Sequence, residues 1–408
     1  DAPVLTSAKV RDGQLTVAGY VGSAAGQSVF GGAQVELFIS DNHASGRGSG
    51  KTLLGRLSTD GSGNFAGTLT LTGITLPANA RLTGTATDGA GNTSEFGANF
   101  SALVADFIVN DNGDADDASP GDGLCQTATP GICTLRAALT ELRALATTPT
   151  PPTVLFDIPG CTDGTQAACT IRPASNLPFI NRPLIIDGST QPGWSSRPLI
   201  GIDGGLNTTG TPEGLRADAG SSGSTFRSLR MAGWGASAGY ALHLYSSDNH
   251  VVEGCWFGLD ASGAGTTAST SRTGIAVRGS SGNRIGGTTA AQRNVISKSN
   301  TWGVYLYGGS NNSLQGNYIG TDATGTLAAG NYIGIANYAV SSTIGGPAAG
   351  AGNLFAANSS NHLLVDTNLG NVPAASATVQ GNTFGLSATQ AAITSASPAI
   401  LVAGVTST

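Results

Sequence analysis

The chain has 408 residues, 39% of them hydrophobic, 11% charged and 61 of them glycine, with a formal net charge of −6. A charged share below half of the roughly 25% usual in soluble domains excludes a coiled coil and an ordinary helical enzyme, and the regular supply of Val, Ile, Leu and Phe excludes disorder. Without any Lys/Arg run, nucleic acid and anionic membrane are excluded as partners, and no apolar stretch approaches a membrane span.

Residues 1–102 alternate in short runs, Leu15-Thr16-Val17-Ala18, Val35-Glu36-Leu37-Phe38-Ile39 and Leu69-Thr70-Leu71, separated by Gly, Asn and Asp. That pattern predicts an antiparallel β-sandwich. The phrases from Thr59 to Phe65 and from Ala86 to Phe96 read as hairpin turns, and they resemble those of bacterial Ig-like domains of surface proteins, which implies a spacer or binding module. The sequence begins at Asp1 and Met231 is its sole methionine, which predicts that a leader peptide has been removed.

Residues 103–152 change character. An acidic loop carries Asp106, Asp111, Asp114, Asp116, Asp117 and Asp122. Hard oxygen ligands at such spacing suit Ca2+, with Asp111, Asp114, Asp116, Asp117 and Asp122 as candidate ligands, although the loop is not an EF-hand and a solvated acidic linker explains it equally well. Cys125 with Cys133 and Cys161 with Cys169 each close a short turn-rich segment, which predicts two local disulfides and export; a zinc site would need tighter spacing and nearby histidines. Leu135, Ala138, Leu139, Leu142 and Leu145 share one face at helical periodicity, predicting a single amphipathic helix that covers the end of a repeat array. The string Gly131-Ile132-Cys133-Thr134-Leu135-Arg136-Ala137-Ala138 resembles the CSLREA-type segment that precedes right-handed parallel β-helices in bacterial secreted, surface and adhesin-like proteins. Thr134 stands where that motif has Ser and Ala137 where it has Glu, so the resemblance implies an architecture and no single activity.

Past Pro149-Thr150-Pro151-Pro152, residues 153–408 repeat. Leu242, Ile275, Val304, Ile335 and Leu363 open equivalent strands 33, 29, 31 and 28 residues apart. Each unit adds a second strand, at Val252, Ile285, Leu314, Ile344 and Val379, and a third, at Phe257, Ile296, Ile319, Phe355 and Phe384. Three strands per unit predict a parallel β-helix, right-handed by the crossover rule. Asn294, Asn317, Asn353 and Asn382, with Cys255 in the first unit, precede the third strand and predict a stack of amides at one corner. At that corner Cys255 is a buried, inert thiol.

Function must then sit on outward side chains. On the first strand these are His243, Ala276, Tyr305, Ala336 and Leu364, and two residues on Tyr245, Arg278, Tyr307, Tyr338 and Asp366. Tyr245, Tyr305, Tyr307 and Tyr338, with Arg278 and with Trp256 and Tyr318 on a neighbouring strand, form a candidate surface for stacking sugar rings; cross-strand packing alone would also select them. Asp260 and Asp322 occupy equivalent positions two coils apart, about 9.6 Å at the strand spacing of a sheet, near the separation of inverting glycosidases. Each also opens a turn, the commoner use of such an Asp. No Ser-His-Asp order is present, and Arg284 and Glu253 stand on adjoining coils as an ion pair.

The sequence therefore predicts an all-β chain: an Ig-like sandwich (1–102), a disulfide-bearing cap (103–152) and a parallel β-helix (153–408). The function expected is that of an exported cell-surface or extracellular-matrix protein that binds polysaccharide or copies of itself, in the limit an extracellular filament. The alternative is a glycoside hydrolase or lyase acting on the outer face. No cofactor is required by either.

Overall fold

The computed structural model describes every residue except 12, 75, 78–79, 105, 148–149, 209, 236–238, 265–270, 367–374, 394–397 and 404–408. The chain divides into two compact units, Asp1–Asp106 and Phe107–Thr408.

The first unit contains two four-stranded sheets. One has the order Asn64–Thr70, Gln14–Val21, Pro3–Arg11, Leu103–Val104, and the other Gly50–Ser58, Gln34–Ser40, Arg81–Thr87, Phe100–Ser101. Pairing is antiparallel except where Pro3–Arg11 meets Leu103–Val104. Alternation puts Leu15, Val17, Val35, Leu37, Phe65 and Leu82 into one shared core. Both turn phrases are organised by an aspartate: Asp60 accepts from the N–H groups of Ser62 and Asn64, and Asp88 from those of Ala90 and Asn92. The Asn92 side-chain amide on Asp88, and these backbone bonds on both, favour the ionised forms and hold both carboxyls below the usual range. The Asp88 turn closes a hairpin, with Thr87 bridged to Thr93. The Asp60 turn instead carries the chain from one sheet to the other, because Gly50–Ser58 and Asn64–Thr70 lie in different sheets.

The second unit is a parallel β-helix with nine-, eight- and seven-stranded sheets. Its registers are those of the repeat. Leu242, Ile275, Val304, Ile335 and Leu363 pair in sequence along the seven-stranded sheet. Val252, Ile285, Leu314, Ile344 and Val379 do so in the nine-stranded sheet, and Phe257, Ile296, Ile319, Phe355 and Phe384 in the eight-stranded sheet. Most of these anchors are wholly buried, each contributing about 1.5–3 kcal/mol of transfer free energy.

The cap region is not a separate piece. Phe107–Val109 is already the first strand of the nine-stranded sheet and pairs with Thr153–Phe156, so the acidic loop, the Cys125–Cys133 disulfide and the helix are an insertion between the first two coils. The second disulfide, Cys161–Cys169, follows that second strand. The helix spans Leu135–Ala144, and Thr134 caps it by accepting from the Ala137 N–H. Leu135, Ala138, Leu139 and Leu142 enter the same core as Phe107, Val109 and Val154. Arg136 is held by Asp114 and donates to the carbonyls of Ser175 and Asn176, while the buried Glu141 accepts from the N–H groups of Gly121 and Gly123.

Three corners carry asparagine columns. In the expected one, Asn294 accepts from the Cys255 N–H, Asn317 from the N–H and Nδ2 of Asn294, Asn353 from those of Asn317, and Asn382 from those of Asn353. A second column joins His250, Asn283 and Asn312, and a third Ser299, Asn331 and Asn358. All but the half-buried Asn382 are buried, where an unpaired amide would be costly.

Candidate functional site

The outer face of the seven-stranded sheet gathers a set of aromatic and charged side chains. Alternation from the buried Leu242 and Leu244 turns His243 and Tyr245 outward. One column reads Arg216, His243, Ala276, Tyr305, Ala336, Leu364; beside it Tyr245, Arg278, Tyr307 and Tyr338 follow one another across four coils. Tyr305 is central: its ring stacks on Trp302 at 4.3 Å and lies 5.8 Å from both Tyr307 and Tyr338. Burial pushes its hydroxyl up to about 12. The Arg278 guanidinium sits over Tyr245 at 5.9 Å and Tyr307 at 5.8 Å, and its Nε is buried without a hydrogen-bond partner. Arg272 lies over Trp302 at 5.6 Å. Among the described residues neither Arg272 nor Arg278 has a carboxylate partner.

One end of this face holds a second constellation. His243 Nδ1 stands 2.8 Å from Glu213 Oε1, both side chains buried, and Arg216 reaches Glu213 at 3.2 Å and Asp218 at 2.9 Å. Burial pushes the Glu213 carboxyl upward, but the His243 hydrogen bond and the Arg216 charge outweigh it and hold it below the usual range. An ionised Glu213 accepts, so Nδ1 carries a proton. The His243 Nε2 has no partner. Tyr240 and Tyr245 flank the imidazole at 4.7 and 5.3 Å.

Trp256 and Tyr318 lie elsewhere. They belong to the eight-stranded sheet, where Trp256, Val295 and Tyr318 follow one another and Arg293 covers the Tyr318 ring at 4.1 Å. Register alone could not show that they face a different direction from the tyrosine columns.

Asp260 accepts from the Ser262 N–H at 2.8 Å and from its hydroxyl. Asp322 is buried and accepts from the N–H groups of Thr326 and Leu327, both at 2.9 Å, and from the Thr324 hydroxyl. Both carboxylates organise the loop that follows them. In the acidic loop Asp111 accepts from Gly113, Asp117 from Ser119 and Gln126, and Asp122 from Leu124, all backbone N–H groups, while Asp116 accepts from the Thr140 hydroxyl and Asp114 pairs with Arg136. Among the described residues no three His, Cys, Asp or Glu side chains come together as a metal site.

The expected Arg284–Glu253 pair is present at 2.7 Å and belongs to a longer ladder, since Arg227 bridges Glu253 and Asp187. Cys255 is a buried free thiol whose ionisation burial pushes up to about 12. Sequence reading did not single out Glu213, Arg216 or Trp302. Extending the repeat one coil toward the N-terminus from Leu242 reaches Leu215, which places Glu213 and Arg216 beneath Tyr240 and His243.

No protein-family model matches the sequence. Among solved structures the chain is similar to the family 28 exopolygalacturonase of Yersinia enterocolitica, at 12% identity over 98% of this chain and 86% of that one, with a TM-score of 0.19. At that score the likeness carries no argument, and the parallel β-helix here rests on its own strand pairing. Both local disulfides are formed, and among the described residues no helix is long and apolar enough to cross a membrane.

Proposed function

We propose that this chain is an exported extracellular β-helix protein that binds acidic polysaccharide along the outer face of the seven-stranded sheet, in an adhesive or matrix role. The observation that carries the reading is Arg278, placed between the rings of Tyr245 and Tyr307 with its Nε unpartnered and no carboxylate beside it. Aromatic faces stack on sugar rings, and a guanidinium between them supplies a fork for a uronate carboxylate. Export is supported by two disulfides in a chain of low charge. The test is retardation of the protein on polygalacturonate, alginate and hyaluronan gels against neutral dextran. Binding should be confined to the acidic glycans and weaken with salt, and Arg278→Ala should reduce it by about tenfold, the worth of one charged hydrogen bond. Equal retardation on dextran, or an unchanged Arg278→Ala variant, overturns the reading.

A second reading, a polysaccharide hydrolase or lyase, is favoured by Glu213 and His243. A carboxylate-oriented imidazole whose buried Nε2 has no partner, at the end of the proposed glycan-binding face, is the kind of pair that general-base chemistry uses. It predicts new reducing ends or unsaturated-uronate absorbance, lost in His243→Gln. Activity lost instead in Asp260→Asn and Asp322→Asn would assign the chemistry to that pair.

A further inference from the structure

A separate concavity lies on the eight-stranded sheet, toward its N-terminal end. Thr170–Ile171, Gly201–Asp203, Arg230–Ala232 and Trp256–Phe257 are successive strands there. The first three, with the loops at Gln166 and at Leu259–Ala261, bound a cavity of about 240 Å³. Small residues keep it hollow. Ala232 lines it, and Gly201 lies beneath Arg230, where an added Cβ would stand 2.6 Å from Nη2. The Arg230 side chain is therefore laid across the sheet, 8% exposed, with Nη2 3.4 Å from Thr170 Oγ1.

Its Nε–H is buried and has no acceptor. Buried donors are almost always satisfied, and this one belongs to a side chain that lines the cavity, so the site lacks an acceptor that a ligand can supply. The other charged lining residues are Arg172 and Asp203, paired at 3.4 Å, and Asp260, whose carboxylate is fixed by Ser262. The charges of Asp260 and Asp203 act on Arg230 against the effect of its burial.

The cavity thus holds two guanidinium groups and two carboxylates, with no net charge. Guanidinium offers only donors and carboxylate only acceptors, and the hydroxyl is the group that satisfies both. We infer that this cavity binds one uncharged sugar residue, its hydroxyl groups bridging Arg230 and Arg172 to Asp203 and Asp260. Its volume lies below the roughly 300–1,000 Å³ of pockets for drug-sized ligands, which suits a single ring rather than a chain. The site is on a different sheet from Arg278, so it stands whether or not the acidic-glycan face does.

The experiment is saturation-transfer NMR of the whole protein with methyl glycosides of glucose, galactose and mannose, and with glucuronate and galacturonate. At least one neutral glycoside should bind in the millimolar range. Arg172→Ala, at a half-exposed position that leaves the wall intact, should weaken it about tenfold. Ala232→Leu should abolish it by filling the cavity, and Arg278→Ala should leave it unchanged. Absence of any neutral-sugar signal up to about 50 mM, far above millimolar affinity, overturns the inference. So does binding confined to the uronates, or binding that survives Arg172→Ala undiminished.

Discussion

The asparagine column makes a quantitative prediction at Asn317. Its Oδ1 accepts from the N–H and Nδ2 of Asn294 at 3.2 and 3.0 Å, and its Nδ2 donates to Ile285 O and Asn353 Oδ1, both at 2.9 Å. Asn317→Ala removes all four bonds. Asn353 Oδ1 still receives the backbone N–H of residue 317, and Asn294 Nδ2 still reaches Val252 O, but the Asn294 N–H is left buried without this acceptor. One orphaned donor at about 1–3 kcal/mol, with about 0.5–1.5 kcal/mol for each of the three other bonds, gives roughly 5 kcal/mol. Asn382→Ala is the internal control. That residue also accepts twice from Asn353 and donates to Ile344 O, but it is half-buried, so water replaces the lost groups and the cost falls to about 1 kcal/mol. Urea unfolding followed by far-UV circular dichroism reads the two losses, and amide hydrogen exchange at Asn294 reads the local one. Equal effects of the two substitutions, or an Asn317→Ala cost below about 1.5 kcal/mol, would refute the claim that the buried amides, and not shape alone, hold the corner.

Other consequences are as specific. Burial holds the His250 imidazole down to about 4, so between its unfolded value near 6.5 and pH 4 the unfolded chain takes up a proton that the folded chain refuses. Stability should fall by about 3 kcal/mol as pH drops through that window, and His250→Gln should flatten the profile of urea midpoints; parallel profiles would exclude this origin. His362, also lowered by burial, adds a slope of the same sign. Cys255 should resist thiol reagents at pH 8 in the folded protein and react fully in urea, whereas reaction in buffer at the unfolded rate would show the corner to be open. Ala357 has a left-handed φ of 57°, so Ala357→Gly should raise the thermal midpoint, with a gain of about 1 kcal/mol. Replacing Cys125 and Cys133 together by Ser removes a bond that closes a loop at sequence separation 8 and should cost about 2.5 kcal/mol, measured by calorimetry against the parent protein.

The three strand columns were legible because each coil repeats one apolar anchor per sheet, and an inward anchor fixes its neighbours' faces. The column at Asn294 was legible for the same reason: four asparagines recur at one offset. The other two were not, since Asn283 with Asn312 and Asn331 with Asn358 are pairs whose remaining positions are His250, Ser299 and other polar residues. Repetition is the signal, and two members do not repeat. The Tyr245, Arg278, Tyr307 and Tyr338 column followed from register alone. Trp256 and Tyr318 were grouped with it because linear spacing gives order along a sheet but not the angle between sheets. Glu213 was missed for a simpler reason: the repeat becomes regular only from Leu242, and the strand beneath it meets the preceding coil at an isolated bridge, Ile180 to Ala217, with no repeated anchor. Arg230 escaped because its burial depends on Gly201 in the preceding coil, a residue whose contribution is an absence.

The asparagine columns also set the unit in which this chain can be edited. Each column bonds along its corner from one coil to the next, so removing a whole coil keeps the remaining coils in phase. Excision of the 29 residues from Asn283 to Asn311 would set Asn312 against His250, Asn317 against Cys255, and Val252, Phe257 and Ile275 against Leu314, Ile319 and Ile335. A cut a few residues shorter or longer would leave the seam out of phase at three corners together. Length in this protein is quantised in coils, and its reach along the axis can grow or shrink by about 4.8 Å steps without a new fold being found.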